Sequence, residues 1–322
     1  MRPYYFLILF LQISVTAAND KHSFLKPVLL NDEFYSETFT IFADLNDGSY
    51  VYAQVGVTNI GPSDQKGLCR IMIFHPHQKT VNHSIIVDRS KWFYQAKPNP
   101  TLKVGVCELS LTKNQQLRFL GQLNQSQLGI QLQANPGEKK HLPFSQIASN
   151  SSRYLSDIII PWGKAQAWDN NLSSEKRQIS GYGYADHSIS TFLPADLARR
   201  WIRFRGINQA KSHLLLVRYA DDDFHPQAWL WRQNNKPEII HQVQQNNMQK
   251  LPAIDVQSAS GNYKIAAENL IYRHAPLEKN GFLAKVLSKL IGNPVTYTYR
   301  ATLSSSTHQN INGILEVAFA DE

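Results

Sequence analysis

The sequence predicts an all-β chain of antiparallel strands, built as barrels or sandwiches. Three observations carry this. Short apolar runs rich in aromatic and branched residues recur along the chain, several of them strictly alternate with polar residues, and turn residues separate them. Only one clear helical pattern interrupts the series, which excludes an alternating α/β chain.

The elements follow in order. Glu37–Ala43 and Tyr50–Thr58 flank Asn46-Asp47-Gly48, a hairpin signature. Leu68–Phe74 is a short apolar run ended by Pro76, and Val104–Leu111 reads as one further strand. Leu117, Phe119 and Leu123 share one face, as do Leu128, Ile130 and Leu132 beyond the turn at 122–127. Alternation of this kind gives a sheet with one dry and one wet face. Polar stretches occupy 135–152 and 169–178, and the second is the expected domain divide, between 19–172 and 173–322. Strands resume at Arg200–Gly206, His213–Tyr219 and Ala228–Arg232. Near the end, Val295 to Leu303 alternates, and Gly313–Ala320 returns antiparallel to it. The helix is expected at Leu277–Ile291, with Leu283, Val286, Leu287 and Leu290 as its apolar stripe and Gly292-Asn293-Pro294 as its stop. That stripe reads as packing against a barrel, with a membrane surface or a partner as the other reading.

Residues 1–18 read as a secretory signal peptide: Arg2, an apolar stretch from Tyr4 to Val15, then Thr16-Ala17-Ala18. The stretch is well short of the ~20 residues that span a bilayer. The expected product is exported, to a periplasm or the outside, with no integral membrane span. Export makes Cys69 and Cys107 eligible for a disulfide; two buried thiols on neighbouring strands are the alternative. They are the only cysteines in 322 residues, too few for a disulfide scaffold or a four-thiolate metal site. The formal charge of +8, from 33 Lys and Arg against 25 Asp and Glu, is modest and does not imply nucleic acid.

The chain has no phosphate-binding Gly-rich loop, no Gly-x-Ser-x-Gly, no Cys-x-x-Cys and no His-Glu-x-x-His. Asp186-His187-Ser188 holds the residue types of a serine triad, but contiguous strand residues point to alternating faces and cannot act in series. His75, His77 and His83 lack a specific metal spacing, so no metal is expected.

The informative segment is 180–206. Gly181 and Gly183 allow close backbone approach or a bulge. Tyr182, Tyr184 and Asp186 share one strand face, and His187 lies on the other. Trp201, Arg203 and Arg205 likewise oppose Ile202 and Phe204. That arginine face is either a solvated exterior or the wall of a cavity, where a guanidinium holds a carboxylate or phosphate bidentately. Spacing alone favours the exterior.

Gly181-x-Gly183-Tyr184-x-Asp186-His187 resembles the hallmark of the superfamily of carotenoid hydratases, tocopherol-cyclase-like proteins, AttH and survival factors. Gln54-Val55 to Pro62, Cys69 to Pro76, Trp201 to Arg205 and Gly313 to Val317 fit the same resemblance. It implies two lipocalin-like β-barrels in tandem, whose branches hydrate or cyclise isoprenoids or bind lipids. The family motif commonly continues Asn-Trp-Gly; here Ser188-Ile189-Ser190 follows, a departure from the hydratase branch.

The leading expectation is therefore an exported protein holding a hydrophobic lipid or isoprenoid-type ligand in a barrel cavity, with Tyr182, Tyr184, Trp201, Arg203 and Arg205 as its lining. The alternative is a cofactor-independent hydratase, cyclase or isomerase. There Asp186 stands at the position resembling the hydratase acid, with His187 beside it, and aromatic faces stabilise a carbocation. A third option is a non-catalytic envelope or extracellular interaction protein whose barrels are filled, and the structural alternative for Asp186 and His187 is a buried polar pair at the junction of the barrels.

Overall fold

The computed structural model describes residues 23–320, without 62–63, 124–125, 135–141, 150, 172–176, 208–211, 221–224, 247–250, 279–287, 289–291 and 306–307. Among them nearly all regular structure is β. The first sheet begins with β1 (Ser36–Leu45), β2 (Tyr50–Thr58), β3 (Lys66–Phe74) and β4 (Val81–Val87). It continues with β5 (Trp92–Gln95), β6 (Thr101–Val104), β7 (Cys107–Leu111), β8 (Leu117–Leu123) and β9 (Ser126–Leu132). Next come β10 (Gln146–Ser149), the long β11 (Ser152–Asn171) and β12 (Arg177–Ser190). Their order is β4-β3-β2-β1-β12-β11-β9-β8-β7-β6-β5, with β10 paired to β11.

A single turn of helix, α1 (Pro194–Leu197), leads into the second sheet. Its strands are β13 (Arg200–Gly206), β14 (His213–Tyr219), β15 (Gln227–Arg232), β16 (Glu238–Ile239), β17 (Gln242–Asn246), β18 (Ala253–Ser258), β19 (Gly261–His274), β20 (Val295–Ser305) and β21 (His308–Phe319). They run β16-β15-β14-β13-β21-β20-β19-β18-β17. Both sheets thus follow one plan, in which the first strand lies between the second strand and the last. The first is a nearly closed barrel and the second a half-barrel.

Closure of the first sheet is visible in its disulfide. Cys69 on β3 and Cys107 on β7 stand far apart in the strand order, yet their Cα atoms are 5.9 Å apart and their sulfurs are bonded. The sheet has curled until its halves meet face to face. A methyl group at Gly67 on β3 would lie 2.6 Å from Val104 on β6, so the bare backbone there is what lets the halves approach.

Apolar side chains pack inside both sheets. Phe39, Ile41, Val55, Ile71, Phe119 and Ile130 pack inside the first barrel. Ile202, Phe204, Val217, Leu230, Ile265 and Leu303 pack inside the second. Each such side chain contributes about 1.5–3 kcal/mol on burial. A third cluster, including Phe42, Tyr52, Tyr184, Leu214, Trp229 and Trp231, joins the outer faces of the two sheets. Beside it Arg300 on β20 donates to Asp44 on β1 at 2.5 Å and to the Gly48 carbonyl at 2.7 Å. Burial pushes the Asp44 carboxyl up, against the pull of Arg300.

Several expectations need revision. Val104–Leu111 is two strands, because Gly105 at φ +55 reverses the chain between Val104 and Cys107. The divide expected at 172–173 falls between β11 and β12, which pair along nearly their whole length; the chain changes sheet only after Ser190. The helix expected at Leu277–Ile291 lies almost wholly outside the described residues, as does the leader at 1–18. Among the described residues no helix is long and apolar enough to cross a membrane.

Candidate functional site

The site follows from strand alternation in the central strands of both sheets. On β12 the odd residues Gly183, Ala185 and His187 turn into the first barrel, so Tyr184, Asp186 and Ser188 face out. On β13, Ile202 and Phe204 fill the second barrel, so Trp201, Arg203 and Arg205 face out. The two outward faces meet, and a cleft of about 410 Å³ lies between them. Its volume falls in the range of small-molecule sites. The cleft therefore lies at the seam between the sheets, while apolar side chains pack inside each barrel.

The register of each sheet sets a polar row on each wall. Asp186 stands opposite Thr40 on β1, Thr40 opposite Gln54 on β2, and Gln54 opposite Arg70 on β3. On the facing wall Glu316 on β21 stands opposite Arg203 on β13, and Arg203 opposite Leu216 on β14. All seven residues line the cleft. Tyr154, Phe192, Leu142 and Trp229 supply apolar wall around them.

Arg205 ties the two sheets together at the floor. Its side chain is 4% exposed, it pairs with Glu316 through Nη1, and its Nη2 is 3.8 Å from Asp186 Oδ2. Its guanidinium also lies 4.8 Å from the centre of the Tyr184 ring and 5.2 Å from that of Phe42. Burial opposes its charge, but Glu316 and then Tyr184 and Asp186 outweigh that cost and hold its pKa well above the ordinary value. Burial likewise pushes the Glu316 carboxyl up, and Arg205, Arg203 and Arg70 together overcome it, so Glu316 stays below its ordinary value. Glu316 is thus an anion that balances Arg205. Burial and then the neighbouring Asp186 raise Tyr184 well above its ordinary value, so its hydroxyl remains protonated.

The glycines of the motif have a direct reason. A Cβ at Gly181 would sit 2.2 Å from the Asp44 carbonyl oxygen, and one at Gly183 would sit 2.1 Å from Leu132. Both glycines serve close approach; the register shifts of this pair fall on β11, between Ile158 and Gly163.

Of the residues singled out in the sequence, the cleft gathers Tyr184, Asp186, Trp201, Arg203 and Arg205. The arginine face is a cavity wall and not the solvated exterior that spacing favours, because the outer faces of the two sheets cover each other. Two residues depart. Tyr182 lines a separate open recess with Trp162, Lys164 and Gln233. His187 is inside the first barrel, stacked on Phe39 at 4.3 Å and hydrogen-bonded through Nε2 to Glu37 at 2.8 Å. Arg70 and Glu316 had no assigned role. Each is a lone charge in an apolar strand, Leu68-Cys69-Arg70-Ile71 and Ile314-Leu315-Glu316-Val317, and that interruption is the signal that marks them. Among the described residues no group of three His, Cys, Asp or Glu side chains is placed to hold a metal. His75 is hydrogen-bonded through Nδ1 to Ser49 at 2.8 Å.

No family model and no curated relative matches the sequence. Solved structures do match the fold. An AttH candidate from Nitrosomonas europaea is similar at a TM-score of 0.61 and 12% identity, over 90% of this chain and 94% of that one. Kievitone hydratase from Nectria haematococca is similar at 0.60 and 10% identity, over 94% and 93%. CghA with Sch210972 is similar at 0.58 and 7% identity, over 89% and 88%. At such identities the likeness shows the fold alone: this chain shares the architecture of these solved structures.

Proposed function

We propose that the protein is a cofactor-independent hydratase of an unsaturated, largely apolar substrate, with Asp186 as its acid. The observation that carries this is the setting of Asp186. It lies in an inter-sheet cleft beside Tyr184, with the nearest cation, Arg205, already paired to Glu316. The kievitone hydratase neighbour supports this reading over ligand storage alone.

In the reaction, the Asp186 carboxyl gives its proton to one alkene carbon, and the π electrons form the new C–H bond. The other carbon becomes a carbocation, which the ring faces of Trp201 and Trp229 on the cleft wall stabilise. A water oxygen bonds to that carbon, and the proton it sheds returns to the Asp186 carboxylate. Tyr184 and the Arg205–Glu316 pair fix the position of the carboxyl. The leader-like residues 1–18 and the Cys69–Cys107 disulfide support an exported enzyme.

The test is incubation with prenylated phenols and polyenes in heavy-oxygen water, followed by mass spectrometry. A hydrated product carrying the heavy oxygen, lost in Asp186→Asn while the variant still binds substrate, supports the reading. Substrate that binds and is returned unchanged overturns it and leaves a binding protein.

A further inference from the structure

Five residues that carry a full charge line the cleft: Arg70, Arg203, Arg205, Asp186 and Glu316. Arg205 is consumed by Glu316 and Asp186. The other two guanidinium groups have no carboxylate of their own. Arg70 lies 5.0 Å from the centre of the Tyr52 ring, and its buried Nε donates to no described atom. Arg203 lies 5.1 Å from the centre of the Trp201 ring, and no described acid forms a salt bridge with it. Stacking on a ring fixes the plane of a guanidinium and leaves its edge free to donate. Buried polar hydrogens without partners are rare in proteins, so a buried, unspent Arg70 Nε calls for an acceptor.

We propose that Arg70 and Arg203 hold a carboxylate of the substrate, so that the cleft takes an amphiphilic unsaturated acid. The proposal deepens the hydratase reading and rests on it for the reacting alkene. Two considerations select this chemistry. With Asp186 as the neutral acid that the hydration step requires, three guanidinium groups stand against Glu316 alone, an excess of positive charge that a substrate carboxylate reduces, and its two oxygens match two guanidinium edges. A carbocation forming beside three guanidinium groups is also opposed by them, and a substrate carboxylate offsets that opposition. The two arginines come from opposite walls, β3 and β13, so one bridging carboxylate would also fasten the sheets around the substrate.

The test uses the full chain and two fluorescent probes, cis-parinaric acid and its methyl ester, which differ only in the charged group. Wild-type protein is expected to bind the acid at least about tenfold more tightly than the ester. Arg70→Gln and Arg203→Gln should each lower that ratio, and the double variant should bring it near one. Equal binding of acid and ester by the wild type overturns the proposal, as does a ratio unchanged in the double variant. A protein that keeps the preference yet hydrates nothing removes the hydratase reading alone. One that hydrates a neutral alkene and shows no preference removes the carboxylate site alone.

Discussion

Asp186 and His187 are consecutive on β12 and serve opposite sides of the sheet. Asp186 faces the inter-sheet cleft 3.8 Å from Arg205, whereas His187, 4% exposed, is bonded to the wholly buried Glu37 at 2.8 Å. Glu37 accepts further hydrogen bonds from the Tyr35 hydroxyl at 2.5 Å and the Val28 amide at 2.7 Å. Burial and the adjacent Glu37 push Tyr35 far up, so it remains a donor. One residue of the pair therefore faces the cleft, and the other fastens β12 to β1 and to the segment before it.

His187→Leu separates the two roles. It removes one hydrogen bond to a buried carboxylate and the stack on Phe39, at a cost of about 3 kcal/mol. Urea unfolding should show the midpoint fall with an unchanged slope, while folded variant keeps the wild-type hydration rate. A rate lost in fully folded protein would place His187 in the reaction instead.

Glu316 sets a dependence on pH. Its ordinary value is 4.5, and in the folded protein it is lower. A carboxyl depressed on folding contributes its stability in full above 4.5 and loses it as pH falls through the lower folded value. Glu316→Gln leaves Arg205 buried with a distant carboxylate, so it should destabilise by about 3 kcal/mol at neutral pH. The gap between wild type and variant, followed by denaturant titration, should narrow below pH 4.5. A gap that widens as pH falls would contradict the pairing.

Strand alternation explains how much of this was legible. Asp186, Arg203 and Arg205 were assigned their faces correctly because period two is a property of the chain. What lay beyond those faces was not, since a polar strand face looks alike whether it meets water or another sheet. Residues 152–171 read poorly for a related reason: β11 bulges between Ile158 and Gly163, which breaks the alternation that marks a strand. Arg70 is remote from Asp186 in sequence and joins it only through the register of β3, β2, β1 and β12.

Gly181 makes a sharp prediction. An added methyl would meet the Asp44 carbonyl at 2.2 Å and the Leu45 Cα at 2.7 Å, and both obstacles are backbone. The strands must separate, so Gly181→Ala should cost about 3 kcal/mol. Because β12 also carries Asp186, the folded fraction should lose hydration as well. The matched control is Gly61→Ala, where no atom lies within 4 Å but φ is +113; it should lose stability and keep its activity per folded molecule.

The disulfide should matter for stability and not for chemistry. Cys69 and Cys107 are separated by 38 residues, so by chain entropy the bond stabilises the first barrel by roughly 4 kcal/mol. Both sulfurs are buried inside that barrel, on the far side of β1 and β12 from the cleft. The Cys69→Ala, Cys107→Ala double variant should therefore unfold at markedly lower urea, with its native-state hydration rate unchanged. Reduction of the wild type in mild denaturant should reproduce the shift. If the reduced protein unfolded at the same urea concentration, β3 and β7 would have to be held together by packing alone.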